Sequence, residues 1–285
     1  MLRQLAQRLP RVSSGLKSNI TNTCIKSSYG TEASTSSSPV YVVFGAYGGI
    51  GSELCARLAR QPGARMVLAG RDAAKLEELR NRLGGGAEST AVVADVLDPK
   101  QVDDVIGRAA ELYGRVDGVA NCVGSILLKS AHATSDEEFA RTLQLNLTSC
   151  FYVLRSSVKR MMGGGGGSIA LCSSAVARHG VPNHEAIAAA KAGVVGLMLS
   201  AAATYAPKNI RVNCVAPGLT RTPLAARITG SPAALKASEA MHPLKRVGEA
   251  REVAAALEFL LSPEQGFITG QVLGVDGGLG SIKAQ

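Results

Sequence analysis

The sequence predicts an α/β fold: one doubly wound, Rossmann-like parallel sheet flanked by helices. Three observations carry that expectation. From residue 40 onward, short apolar, β-branched runs alternate with helix-patterned segments, which is the pattern of a parallel sheet with crossover helices. The runs are continuously apolar, as strands buried on both faces are. The first of them, residues 40–44, passes directly into Gly45-Ala-Tyr-Gly-Gly-Ile-Gly51 and then a helix pattern, the strand, glycine turn and helix of a dinucleotide site.

Composition sets the outer bounds. A chain of 285 residues with 46% hydrophobic and 19% charged residues can bury a sizeable core. Its net charge is +9. Residues 1–38 supply +4 of this through Arg3, Arg8, Arg11, Lys17 and Lys26 against Glu32, leaving +5 for the rest. No basic run interleaved with aromatics occurs, so nucleic acid is not expected as a partner. Residues 1–38 read as a leader. Leu2, Leu5, Ala6 and Leu9 share one helical face opposite Arg3, Arg8 and Arg11, and the remainder of the segment is rich in Ser and Thr. A basic amphipathic segment of that kind is a transit peptide, mitochondrial in the first instance and chloroplast in the second. Residues 39–285 are then the folded domain. The six cysteines show no metal-ligand spacing, and no metal is expected; five sit in apolar runs, so they are expected reduced and buried. The apolar stretch 186–206 is interrupted by Lys191 and reads as a helix buried against a sheet or a partner subunit, not as a membrane span.

The elements come in a regular order. After the glycine turn, a helix is expected over 52–60 and a second strand over 66–69, ending in Gly70-Arg71-Asp72. A carboxylate at that strand tip holds the ribose hydroxyls of NAD, whereas a guanidinium favours the 2′-phosphate of NADP. Gly70 and Arg71 therefore point to NADP(H) over NAD(H). A helix over 73–83 leads to a third strand over 89–94 ending in Asp95, then to an Asp98-Pro99 helix start that runs to about residue 113. A fourth strand exits through residues 118–124, a long helical region spans 136–162, and five glycines at 163–167 mark a turn. The run 168–172 is a strand, residues 210–215 form the sixth, and a helix over 249–261 precedes a last strand over 271–275.

The segment after residue 172 holds the chemistry. Paired serines, a loop with Gly180 and Pro182, and an Ala-rich helix carrying Lys191 resemble the active-site segment of the short-chain dehydrogenase/reductase family, in its 3-oxoacyl-reductase-like branch. In that family a serine is followed thirteen residues later by tyrosine and four after that by lysine. Ser174 and Lys191 stand in this register, and position 187 is isoleucine. Other segments match in order over about residues 40–280. Residues 118–124 are similar to the family's Asn-Asn-Ala-Gly segment, with Asn121 and Gly124 kept. Asn146 fits its helix asparagine, and Pro217-Gly218 with Thr222 resembles the loop over the nicotinamide.

The resemblance implies the rest. Gly45, Tyr47, Gly49, Ile50, Gly51, Arg71, Asp95, Asn121, Lys191, Pro217, Gly218 and Thr222 would hold the cofactor, with Asp95 at the adenine and Asn121 tying strands together by backbone hydrogen bonds. Ser174, Lys191 and Asn146 would serve a proton relay on a carbonyl or alcohol substrate, under a mobile lid at 223–246 that contains His242. Ile187 has no ionisable group, so the tyrosine route is closed. His184, placed at helical spacing on the face of Ile187 and Lys191, is the substitute acid the sequence offers; His179 and Glu185 are weaker candidates. Two functions stay open: an oxidoreductase with an altered proton relay, or an inactive dinucleotide-binding subunit of an organellar assembly. A homodimer or homotetramer is expected by the same resemblance.

Overall fold

The computed structural model describes residues 38–282; the expected leader, apart from Ser38, lies outside them. The sheet begins with β1 (Val40–Phe44), buried at every position. Its residues alternate between two cores. Val40, Val42 and Phe44 face one hydrophobic cluster, while Tyr41 and Val43 face the other, as the period-two geometry of a strand requires. Then come α1 (Gly49–Leu58), β2 (Arg65–Gly70), α2 (Ala73–Leu83), β3 (Glu88–Val93), α3 (Pro99–Tyr113) and β4 (Gly118–Asn121). The second half adds α4 (Asp136–Leu143), α5 (Ser149–Met161), β5 (Gly167–Cys172), α6 (Glu185–Tyr205) and β6 (Ile210–Pro217). After them come β7 (Thr220–Arg221), α7 (Ala226–Thr229), α8 (Pro232–Met241), β8 (Gly248–Glu249), α9 (Ala250–Leu261) and β9 (Val272–Val275).

Seven strands form one sheet in the order β3-β2-β1-β4-β5-β6-β9, all parallel. Residues of α3, α5 and α6 fill one face, those of α1, α2 and α9 the other. The fold is thus the doubly wound α/β sandwich expected. The order in which strands are added reverses between β1 and β4, and ligands bind such sheets in the crevice beyond the carboxyl ends of the strands at that switch point.

Local sequence explains most element ends. Asp98 caps α3 by accepting from the N–H groups of Lys100 and Gln101, Pro99 takes the first helical position, and Gly114 closes the helix in a left-handed conformation. Ser135 and Glu138 form a reciprocal capping box at the start of α4. The region 136–162 is two helices, not one. A π-helical turn, Gln144–Thr148, joins α4 to α5 and buries Asn146 completely. Helix α6 is long and apolar enough to cross a membrane by composition. Its residues Val194, Met198, Ala201 and Ala202 pack into the core instead.

The glycine turn is built by close approach. Gly45 has φ 73°, which L side chains rarely adopt. A Cβ on Gly51 would run into the carbonyl oxygen of Gly45, so the helix can meet the strand only without one. Gly51→Ala is therefore expected to lower stability by about 1–3 kcal/mol, the range of core overpacking. Gly196→Ala, on α6 at a position where nothing lies within 4 Å, is expected to match or exceed the wild type. Thermal unfolding of the two variants side by side checks this.

Candidate active site at the switch point

Lys191 lies one and a half turns into α6 and is only 7% exposed. Its Nζ donates to the carbonyl oxygen of Cys172, the last residue of β5, at 2.8 Å. The Ser173 hydroxyl returns a bond to the Lys191 carbonyl at 2.9 Å, so strand and helix grip each other on both sides of the ammonium. Across the crevice, a Cβ on Gly124 would fall 3.4 Å from Lys191 Nζ and 2.9 Å from Asn146 Oδ1. The β4 exit, the π turn and α6 thus converge at one point. Asn146 is fully used there. Its Nδ2 donates to Ser125 Oγ and to the Thr142 carbonyl, both at 2.9 Å, and its Oδ1 accepts from the Ser125 N–H at 3.0 Å.

Ser174 comes after β5 on the same side. Its Oγ donates to the Pro217 carbonyl and accepts from Val176 N–H, each at 3.4 Å. It opens onto a cavity of about 300 Å³ shared with Ile187, His184 and His242 and otherwise walled by apolar groups such as Leu128 and Met241. A larger groove of about 820 Å³ runs beside β9 and touches none of the candidate catalytic residues. We assign the site to the smaller cavity because Ser174 and Ile187 face it.

The lid over this cavity is α7 and α8, and His242 pins it. Leu219 N–H donates to His242 Nε2 at 3.2 Å, while His242 Nδ1 lies 2.7 Å from the Ser238 carbonyl. An N–H donor at Nε2 and a carbonyl acceptor at Nδ1 fix the neutral tautomer with its proton on Nδ1. At the foot of the lid, Arg246 holds both oxygens of Glu252. With the Glu249 N–H it draws that carboxyl down to about 2.

On the other side of the switch point the glycine turn presents the free N–H groups at the start of α1, which has no side-chain cap; such a helix start suits a pyrophosphate. Thr222 and Pro223 rest against Gly49, where a Cβ would meet Thr222 Cγ2 at 2.7 Å. The Tyr47 ring covers Gly70, where a Cβ would lie 2.5 Å from its Cε1. Lys75 Nζ sits 5.7 Å from the centre of the same ring and pairs with Asp72 at 3.4 Å. Arg71 is exposed and makes no ion pair among the described residues. Asp95 is pinned at the β3 exit, its carboxylate accepting from Leu97 N–H and its own N–H donating to Gln101. Close-approach glycines, a free helix start and cations at the β2 tip fit a phosphorylated dinucleotide.

Gly45, Tyr47, Gly49, Ile50 and Gly51 follow β1, Arg71 follows β2, Asp95 follows β3, Asn121 ends β4, Ser174 follows β5, and Pro217, Gly218 and Thr222 end or follow β6, so all lie at the carboxyl ends of the parallel strands, with Lys191 and Asn146 beside Gly124. One expectation is corrected. His184 is not on the helix face of Ile187; it is the residue before α6, with φ −120° and ψ 14°. Its Nδ1 lies 2.7 Å from the Pro182 carbonyl, and it reaches the cavity from the loop. Asn121 joins strands through its backbone, paired with Phe44 of β1 and Leu171 of β5. Its Oδ1 accepts from Val123 N–H, and its Nδ2 points to Ser149 Oγ and Cys150 Sγ on α5. His179 and Glu185 are exposed and lie outside the cavity lining. Three contributors are not legible in the sequence: Lys75, Ser125 and the pinning role of His242. Lys75 stands four residues after Arg71 and Ser125 comes directly after Gly124, but only packing shows what each touches.

Fold and crevice together define a dinucleotide-binding oxidoreductase scaffold. Residues 45–280 match the family model described as Enoyl-(Acyl carrier protein) reductase. The chain belongs to the short-chain dehydrogenase/reductase family. It is 33% identical to the 3-oxoacyl-[acyl-carrier-protein] reductase FabG of Thermotoga maritima over 241 residues, which is 84% of this chain and 97% of that one. It is also 33% identical, over 231 residues, to the Inactive 2-(S)-hydroxypropyl-CoM dehydrogenase 2 of Xanthobacter autotrophicus, covering 80% of this chain and all of the other. A solved structure of ElxO with NADP bound superimposes with a TM-score of 0.79 at 26% identity, covering 86% of this chain and 100% of that one.

Removing the Asn146 amide leaves the Ser125 N–H and hydroxyl without their partner. Asn146→Ala should therefore cost about 1–3 kcal/mol, the penalty for buried polar groups left unpaired. Chemical denaturation measures it, and an unchanged midpoint would show that Asn146 does not hold the crevice together.

Proposed function

We propose that this chain is an NADP(H)-dependent oxidoreductase acting on a carbonyl/alcohol pair through an atypical proton relay. One observation carries the reading: an ammonium buried at the switch point, Lys191, with Gly124 between it and Asn146. A buried charge is costly unless partners satisfy it, and a purely structural scaffold would be served as well by an apolar residue there.

The bound nicotinamide supplies the hydride; the chain supplies everything else. Lys191 and Asn146 hold the ribose side of the crevice, Thr222 and the 217–218 turn close over it, and Arg71 with Lys75 receives a 2′-phosphate. Gly70 leaves no carboxylate to compete, and the Tyr47 ring fills the space in which one would project. Ser174 donates a hydrogen bond to the substrate oxygen. Ile187 stands where the family has its tyrosine, so the proton comes from elsewhere. The Pro182 carbonyl requires His184 Nδ1 to carry hydrogen, which leaves Nε2 as the nitrogen that exchanges a proton. His184 lines the same cavity as Ser174 and is the donor, directly or through one water. The cavity's small volume and apolar walls favour a compact, uncharged ketone or secondary alcohol. A mitochondrial location (chloroplast as the alternative) and assembly into a homodimer or homotetramer belong to the same reading.

A second reading has its own support. Ile187 removes the usual acid, and one relative of similar identity carries the word inactive in its name. In that case the chain binds dinucleotide as a structural or regulatory subunit.

Titration of the full chain with both nucleotides tests the cofactor assignment. NADPH is expected to bind more tightly than NADH, and Arg71→Glu should weaken NADPH alone by roughly tenfold or more, the scale of a lost charge-assisted bond. Equal weakening of both nucleotides, or none, would remove the 2′-phosphate assignment.

NADPH oxidation with a panel of small ketones separates the two readings. Turnover by the wild type, lowered by roughly 10²-fold or more in His184→Ala as for a lost general acid, supports the enzyme with a substitute donor. Turnover unchanged in His184→Ala would sink the histidine relay. Activity seen only in Ile187→Tyr would establish the inactive reading.

A further inference from the structure

Two cysteines lie side by side beneath the crevice. Asn121 and Leu171 are register partners in β4 and β5, and each is followed by a cysteine, Cys122 and Cys172. Both side chains join the core cluster on the α1/α9 face, whereas Cys150 and Cys214 belong to the opposite one. Adjacent strands run about 4.8 Å apart, inside the Cα separation of about 4.4–6.8 Å that a disulfide spans. Cys122 is half-buried and Cys172 is 8% exposed. Both thiols are free.

Their backbones belong to the cofactor site. The Cys122 N–H donates to the Phe44 carbonyl at 3.0 Å, directly before the glycine turn, and a Cβ on Gly45 would lie 3.2 Å from the Cys122 carbonyl carbon. The Cys172 carbonyl is the acceptor that holds Lys191 Nζ. The neighbourhood also differentiates the thiols. The Cys122 thiol and the Lys191 ammonium together draw the Cys172 thiol below its ordinary range, while Cys122 is held above it. Cys55, on α1, is pushed up to about 12 by burial. The neighbouring Cys122 sulfur is placed to resolve an oxidised Cys172.

We propose that Cys122 and Cys172 form a peroxide-responsive dithiol whose oxidation to a disulfide loosens the cofactor site. The Cys172 thiol gives up its proton as its sulfur attacks one oxygen of hydrogen peroxide; the O–O bond breaks, and the departing hydroxide takes that proton and leaves as water. The resulting sulfenic acid is attacked by the Cys122 sulfur. An S–S bond forms, the S–O bond breaks, and the oxygen leaves as a second water with the Cys122 proton. The thiols lose two electrons and two protons, and one peroxide becomes two waters. The bond fixes the two Cβ atoms about 3.8 Å apart, and Cys172, whose carbonyl holds the Lys191 ammonium, adjusts to it. Dithiol reduction reverses the change.

The binding half of this inference rests on the cofactor reading above; the cross-link half does not. The full-length protein is treated with hydrogen peroxide, digested without reduction and mapped by mass spectrometry, with NADPH titrated before and after. A Cys122–Cys172 cross-link within one chain is expected, together with NADPH affinity weakened by roughly tenfold or more, as for a lost bond to a charged group. Dithiothreitol should restore both. Cys122→Ser, with Cys122→Ala as a second variant, should form no cross-link and show the same affinity before and after peroxide. The proposal is overturned if peroxide leaves both thiols free, or if Cys172 proceeds to sulfinic acid without a cross-link. It is equally overturned if the Cys122 variants lose affinity on oxidation as the wild type does. Reduced protein that binds neither NADPH nor NADH overturns the cofactor reading and leaves the cross-link map to decide the dithiol.

Discussion

A single buried ammonium sets the terms for half of this molecule. Taking Lys191 out of water costs several kcal/mol unless dipoles replace the solvent, and the fold supplies them from separate elements. The end of β5 offers the Cys172 carbonyl, and the β4 exit, held to the π turn through Asn146 and Ser125, leaves room by having glycine at 124. None of these groups is useful alone. The Ser173 hydroxyl, bonded to the Lys191 carbonyl, shows how thoroughly the strand end and the helix are locked to each other. Once the ammonium is placed, the course of the chain from residue 124 to residue 191 is largely decided.

The parts of this arrangement that are legible in the sequence are those carried by local rules. Continuous apolar runs announce the buried strands, Asp98-Pro99 announces a helix start, and the glycine turn announces the switch point. The serine, asparagine and lysine positions come from the family resemblance. The hidden parts depend on contacts between distant segments. Nothing in residues 136–162 distinguishes one helix from two joined by a wide turn, because the π turn is selected by the packing of Leu147 against Gly193 and by the bonds of Asn146. The spacing of His184 to Ile187 and Lys191 is helical, yet the chain enters α6 only after it. Asn121 ends a strand, but its amide faces α5. By sequence Lys75 and His242 are ordinary surface and loop residues, and their partners are side chains and amides that no periodicity reveals.

The apolar cavity and the glycine at the β2 tip have the same logic. In each, a side chain of the expected chemistry is replaced by something that fills space. Ile187 closes the wall beside Ser174 with hydrocarbon, and the Tyr47 ring occupies the ground above Gly70. Both replacements lower the polarity of the crevice at points where charge or proton transfer would otherwise be concentrated.

The hydrogen bond from Leu219 to His242 has a consequence for how the site is covered. Leu219 belongs to the strap that passes over the cofactor crevice, and His242 ends the helix that roofs the substrate cavity, so a single imidazole joins two covers. Neither cover can lift without disturbing the other. By thermodynamic linkage, whatever steadies one steadies the other to the same extent. A nucleotide that settled the strap would thereby steady the roof of the cavity as well.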